Sequence, residues 1–246
     1  MSLKVSIITT TYNDADNLER IIKQVKMQDY TNIEHIIVDG ASTDRTKEIL
    51  QKLQNEKNAG VKIISEPDKG LYNGLNKGIR LATGDIIGCC FDSFTAPDII
   101  RNMVEVMERE KTDGVHGDLY YMQGNRIIRK WQQGQGNFRF GWLPGHPTLY
   151  LRKSVYERYG LYKENYKVAA DYEFMIRILK EKKVKLSYIP RVLIHMSYGG
   201  TSNHSFGAYM LSLKEGHRAL RENGIAFACF TDICRTIRVL LQFQHK

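Results

Sequence analysis

The stretch VSIITTTYNDADNLERIIKQV, Val5 to Val25, runs a buried strand into an amphipathic helix through a polar turn. Val5 to Ile8 is short and mostly β-branched, broken only by the small Ser6, which suits a parallel strand covered on both faces. Leu18, Ile21, Ile22 and Val25 then recur at i, i+3, i+4 and i+7, the apolar stripe of a helix. Asn13 or Asp14 is placed to accept the free amide hydrogens of its first turn. Thr10, Thr11 and Tyr12 fall at the carboxyl end of the strand, the edge where open α/β sheets bind ligands. Taken alone, these hydroxyls serve equally well as turn residues.

The unit repeats. His35 to Val38 is a second strand, followed by DGASTDRT and a helix carrying Ile49, Leu50 and Leu53. Val61 to Ser65 is a third, leading into EPDKGLYNGLNKGIRLATGD with Leu71, Leu75, Ile79 and Ala82 at helical spacing. Ile86 to Cys90 is a fourth, running into FDSFTAPD and the apolar face of Ile99, Ile100, Met103, Val104 and Met107. Such alternation implies right-handed crossovers and a mostly parallel, Rossmann-like sheet flanked by helices. Asp39, Asp68 and Asp92 then lie at three strand ends, whereas Asp44 reads as a turn residue. Carboxylates gathered on one edge repel unless cations or hydrogen-bond donors offset them, so a divalent ion or a donor-rich ligand is expected there. The first βα turn has no glycine-rich fingerprint, which argues against a dinucleotide fold, a P-loop or a nucleotidyltransferase.

In the second half, Val115 to Met122 and Arg126 to Trp131 read as paired strands. QQGQGNFRFGWLPGHP, Gln132 to Pro147, is too rich in glycine and polar residues for regular structure, and loops of that length are functional or mobile. Its Phe138, Phe140 and Trp142 either stack on a sugar or seal the loop to the core. Ala169 to Lys183 has helical spacing at Phe174 and Ile178, placing Asp171 in a first turn where a carboxylate also simply complements the dipole. Glu173 points away from Asp171 and reads as structural, and His146 and His195 lack metal-ligand spacing and read as packed.

In this order and spacing, VSIITTTYN, IIVDGASTDRT, EPDKGLYNGLNKGI, ATGDIIG, GHPTLYLRKSVYERYG, AADYEFMIRIL and MSYGGTS resemble the family 2 glycosyltransferases. These are inverting enzymes of glycosyltransferase A-type fold, and the likeness is to bacterial members that build surface polysaccharides of the cell envelope. It covers Lys4 to Asn203 and implies a catalytic domain over residues 1–203, with 204–246 a helical extension packed on the domain or a membrane surface. By resemblance, Thr10, Tyr12 and Asp39 hold the nucleoside, with Asp39 accepting a uracil N–H. Asp68 and Lys69 share that donor pocket, Asp92 is the candidate ligand for Mg²⁺ or Mn²⁺, and Asp171 is the general base. The chain departs from the pattern in three places. Gly40 follows Asp39 where many relatives have a second acid, CCFDSFTAPD replaces an Asn-Ser-Asp-Asp type segment, and Ala170 replaces an acid before the base.

The implied activity is hexosyl transfer from a nucleotide sugar, UDP-linked, to a saccharide or polyprenyl-linked saccharide acceptor with inversion. The rival is a non-catalytic nucleotide-sugar-binding protein with a degenerate metal site. Thirty-six basic against 27 acidic residues give +9, which suits a diphosphate donor or an anionic membrane; no nucleic-acid recognition motif accompanies it. Four cysteines without zinc spacing, and the lack of a secretory signal or an apolar bilayer span, lead to the expectation of a cytoplasmic protein, peripheral on the inner face of the membrane. Ile225 to Leu241 is apolar with Arg235 and Arg238 inside it and Arg218, Arg221 and Lys246 around it. As an amphipathic helix it either lies in a membrane interface or packs on the domain or a homodimer partner.

Overall fold

The computed structural model describes residues 2–56, 60–198 and 206–243. The Gly199 to Ser202 part of MSYGGTS, together with Asn203 and Lys246, lies outside the described residues. The four βα units form as the periodicity predicts: β1 (Val5–Thr11), α1 (Ala15–Lys26), β2 (Ile33–Asp39), α2 (Thr46–Asn55), β3 (Val61–Ser65), α3 (Leu71–Leu81), β4 (Ile86–Cys89) and, after the short β5 (Ser93–Phe94), α4 (Ile99–Glu110). β1 pairs in parallel with β2 and β4, and β2 in parallel with β3. The register sets Thr11 beside Asp39 and Asp39 beside Ser65, so the carboxyl ends of three strands share one edge.

The second half extends the sheet by a mixed route. β6 (Gly114–Gln123) and β7 (Arg126–Trp131) form the expected antiparallel pair. β8 (Tyr150–Arg152) runs antiparallel between β4 and β6, and β9 (Leu186–Ser197) pairs in parallel with β6. The strand order is β3-β2-β1-β4-β8-β6-β9-β5, with β7 on β6. α5 (Lys153–Tyr159), α6 (Ala170–Leu179), α7 (Phe206–Glu222) and α8 (Ala228–Leu240) complete the described elements.

Period-two alternation along the strands feeds two apolar layers. Ile8, Ile36, Val38 and Ile87 meet Leu75 and Ile79 of α3 and Phe174 and Ile178 of α6. Val5, Ile7 and Ile86 meet Ile21 and Val25 of α1 and Ile99 to Met107 of α4. All four cysteines are unpaired, and those ending β4 are buried.

Three local expectations are corrected. Neither Asn13 nor Asp14 caps α1 through its side chain. Asn13, at positive φ, turns its amide oxygen to the Thr43 N–H at 2.8 Å, tying the first βα turn to the second, and Asp14 accepts from Asn17. The Gln132–Pro147 loop is pinned rather than loose, with 3₁₀ turns at Phe138–Phe140 and His146–Thr148. Buried Gln133 accepts from the Gly145 N–H and donates to Thr148, while its own backbone N–H donates to Asp118 and its carbonyl accepts the Trp142 indole N–H. The helix expected over Ile225–Leu241 forms as α8 but starts later: α7 ends at Glu222, Gly224 follows in the left-handed region, and α8 begins only after Phe227.

Candidate functional site

The carboxyl edge of the parallel strands brings Thr10, Tyr12, Asp39 and Asp68 together. A Cβ on Gly40 would fall 2.9 Å from Asp68 Oδ2 and 3.3 Å from the Tyr12 ring. One on Gly74 would fall 3.1 Å from the Thr10 methyl and 3.4 Å from Asp68 Oδ2. Two glycines thus let the third βα turn lie against the first two strand ends. The departure at Gly40 has a steric reason, since a second acid there would run into the Asp68 carboxylate. Asp68 also accepts the Gly70 N–H at 2.8 Å, opening α3. Tyr12 exposes its ring in the first βα turn, and Lys69 is exposed in the third.

Asp39 is buried and already has partners, which the sequence did not show. Its oxygens accept the Ser42 hydroxyl at 2.5 Å, the Ser42 N–H at 3.1 Å and the Ser65 hydroxyl at 2.6 Å. A carboxylate has about four acceptor positions, so little capacity is left for a ligand N–H. Asp39 therefore fixes the turn after β2 whatever else it does.

A cleft of 1220 Å³ opens beside this cluster, and Thr10, Arg20, Asp92, Arg129, Trp142 and Asp171 are among its walls. Asp92, after β4, is buried; Oδ1 takes a guanidinium N–H of Arg20 at 2.5 Å and Oδ2 the Ser197 N–H at 2.6 Å. Arg20 in α1 also donates to Asn17 at 2.7 Å. A hard divalent ion needs carboxylate oxygens free to approach it. Both Asp92 oxygens are committed, one of them to a cation, and among the described residues no group of three His, Cys, Asp or Glu is placed to hold a metal. Among the described residues the protein alone offers no cage for a divalent ion, and Arg20 is the positive group that Asp92 holds.

Asp171 sits in the first turn of α6 and accepts the Tyr72 hydroxyl at 2.8 Å. Burial, reinforced by Asp171, pushes the Tyr72 phenol far above its usual pKa, so it remains a donor. The bond joins α3, which follows the Asp68 turn, to α6, and both residues line the cleft. His146 lines the cleft too; burial holds its imidazole below the usual pKa against the opposing pull of Asp171, and it shares a 2.8 Å bond with the Tyr162 hydroxyl. Ala170 is fully buried in the core, where a second carboxylate would lack solvation. Glu173, also fully buried, pairs with Arg177 at 2.9 Å and Lys163 at 3.1 Å and ties α6 to Asn223 after α7, a structural role.

The sequence reading missed Arg20, Tyr72 and Arg129. Arg129 is buried in β7 between the Tyr121 and Trp131 rings, 4.9 and 5.0 Å from their centroids, and bonds Gln242 at 2.8 Å. Of the loop aromatics, Phe138 is sealed inward and Trp142 is buried while bordering the cleft, whereas Phe140 is exposed. Val239, Leu241 and Gln242 also border the cleft, so the end of α8 and the residues after it form part of its wall.

A mostly parallel sheet with an acid-bearing carboxyl edge facing an open cleft is the architecture of glycosyltransferase A-type enzymes. Residues 6–181 match the sequence profile described as Glycosyl transferase family 2, and the chain belongs to that family. An uncharacterised glycosyltransferase of Mycobacterium tuberculosis is 31% identical over 184 residues, covering 70% of this chain and 68% of that protein. A PGL/p-HBAD biosynthesis glycosyltransferase of Mycobacterium bovis is 28% identical over 213 residues, covering 80% and 78%. The fold is shared with TarS (residues 1–349) of S. aureus in complex with UDP-GlcNAc, at a TM-score of 0.73 and 16% identity over 96% of this chain and 71% of TarS. It is shared also with the mannosyltransferase PcManGT of Pyrobaculum calidifontis in complex with GDP-Man and Mn²⁺, at 0.68 and 15% over 98% and 75%.

Proposed function

We propose that this glycosyltransferase moves a hexosyl group from a UDP-linked sugar to a saccharide or polyprenyl-linked saccharide acceptor with inversion, on the cytoplasmic side of the cell envelope. The observation that carries the reading is Asp171, which shares one cleft with Thr10 of the nucleotide-binding edge and is oriented by Tyr72 from the donor side. In a single displacement the acceptor oxygen bonds to the anomeric carbon while the bond from that carbon to the phosphate oxygen breaks. The nucleoside diphosphate departs with the electron pair, and the hydroxyl proton passes to the Asp171 carboxylate. Thr10, Tyr12 and Asp68 hold the nucleoside, with Asp39 fixing the turn they depend on. Lys69 and Arg20 offer positive charge to the diphosphate. The complexes of fold relatives with UDP-GlcNAc and GDP-Man support a nucleotide-sugar donor.

The commitment of Asp92 to Arg20 favours a second reading, a nucleotide-sugar-binding protein without turnover. A panel of UDP- and GDP-sugars screened by ligand-detected NMR with and without Mn²⁺, followed by product analysis with saccharide acceptors, separates the two. A bound UDP-sugar with an inverted product supports transfer. Saturable binding with no product under any acceptor leaves the binding protein.

A further inference from the structure

Helix α8 has two opposed sides. On one, buried Thr231 donates to the Arg139 carbonyl, Arg235 lies over the Tyr172 ring, and the following Gln242 accepts from Arg129. That side closes the cleft. On the other, Phe230, Ile233, Ile237 and Leu240 continue from Phe227 at three- and four-residue spacing, and all are exposed, Phe227 by 85%; Leu241, also exposed, sits at the margin where this side meets the cleft. Exposed Phe140 joins them edge-on to Phe230 at 6.0 Å. Isolated exposed apolar residues are ordinary, but six on one contiguous face mark an interaction surface.

Charge selects the occupant. Arg139 precedes Phe140, Arg221 borders the same recess as Phe227 and Phe230, and Arg238 flanks the stripe; all three are exposed. The one acid in α8, Asp232, is turned away to His217 at 2.8 Å and Arg235 at 3.5 Å. Two copies meeting through this face would bring these arginines together without acids to answer them, whereas an anionic lipid surface complements them. At 13 residues α8 is about 20 Å long, and among the described residues no helix is long and apolar enough to cross a membrane. Apolar residues on one side and cations at the margin suit a helix lying in the headgroup region.

We infer that α8 docks the enzyme on an anionic bilayer through Phe227, Phe230, Ile233, Ile237 and Leu240, so that the wall of the cleft is also the membrane contact. The inference gives the proposed polyprenyl-linked acceptor a route to Asp171, but binding to lipid needs neither donor nor turnover, so it stands or falls separately. The test is co-sedimentation of the full chain with phosphatidylcholine vesicles containing phosphatidylglycerol, against phosphatidylcholine alone. The wild type is expected to bind the anionic vesicles, more weakly at high salt. The triple variant Ile233→Ser, Ile237→Ser, Leu240→Ser is expected to bind about tenfold less or worse, with circular dichroism unchanged. Arg139→Gln with Arg221→Gln is expected to lower binding to anionic vesicles only. Absence of wild-type binding, or an unchanged triple variant, overturns the inference. A wild type that is dimeric by analytical ultracentrifugation and a triple variant that is monomeric, with neither on vesicles, assigns the face to a second copy instead.

Discussion

Asp171 and Gly40 each admit a sharp residue-scale test. Asp171→Asn keeps the shape and the Tyr72 contact but cannot take up a proton. Donor binding should survive while transfer falls by a factor on the order of 10² to 10⁴, read from product formation beside a nucleotide titration. A variant that transfers at the wild-type rate returns Asp171 to complementing the dipole of α6. Gly40→Asp would restore the paired acids of relatives, yet it sets a carboxylate against Asp68 Oδ2, where a Cβ alone reaches 2.9 Å. Steric and like-charge repulsion should weaken donor affinity, measured by calorimetry; stronger binding would show that Asp68 moves aside. Asp39→Ala should lower donor affinity and also cost about 1 to 3 kcal/mol of stability, because Ser42 and Ser65 lose their acceptor. Asp39, Asp68 and Asp92 were legible in the sequence because each follows a strand whose apolar run is local. Arg20 and Tyr72 were not, because their partners lie 72 and 99 positions away and no local spacing encodes such a pair.

At the scale of elements, the parallel half was readable because each strand and helix announces its own period. The antiparallel additions were harder. β8 has three residues, too few to show alternation. β9 contains Pro190, which sequence logic excludes from a sheet interior, and the β6–β9 register steps from Ile189 to Val192, letting the chain bulge past the proline. The β1–β2 pair carries a pH dependence. His35 is buried in β2, 2.9 Å from the Thr9 hydroxyl, and burial pushes its pKa down from 6.5 to about 4. The unfolded chain therefore binds a proton that the folded one refuses between those values. The stability is full above pH 6.5 and declines as pH falls towards 4, by up to about 3 kcal/mol. Urea unfolding across that window should show the decline, and His35→Leu should make it shallower by removing this residue's share. An equally steep slope in the variant would place the titration elsewhere, with His116 next in line because burial drives it to about 4 as well.

For the whole molecule, the cleft joins the two halves of the chain, and Asp92 is where they meet. One oxygen holds Arg20 from the first βα unit and the other the Ser197 N–H at the end of β9. This bridge turns the altered segment after β4 into a question about charge. The departing diphosphate needs positive charge, and Arg20, fixed on Asp92 and bordering the cleft, can supply it. The wild type should then bind the proposed UDP-sugar donor with nearly the same affinity in excess chelator and in Mn²⁺. Arg20→Ala should behave differently. Losing a charge-assisted bond of about 1.5 to 3 kcal/mol should weaken the donor roughly ten- to hundredfold in chelator. Because the substitution also frees an Asp92 oxygen, Mn²⁺ should restore part of that loss, giving a metal dependence the parent lacks. Calorimetric titrations of both proteins under both conditions decide the matter. Loss of wild-type binding in chelator, with Arg20→Ala unaffected, would mean that Asp92 releases Arg20 and takes a metal when the donor arrives.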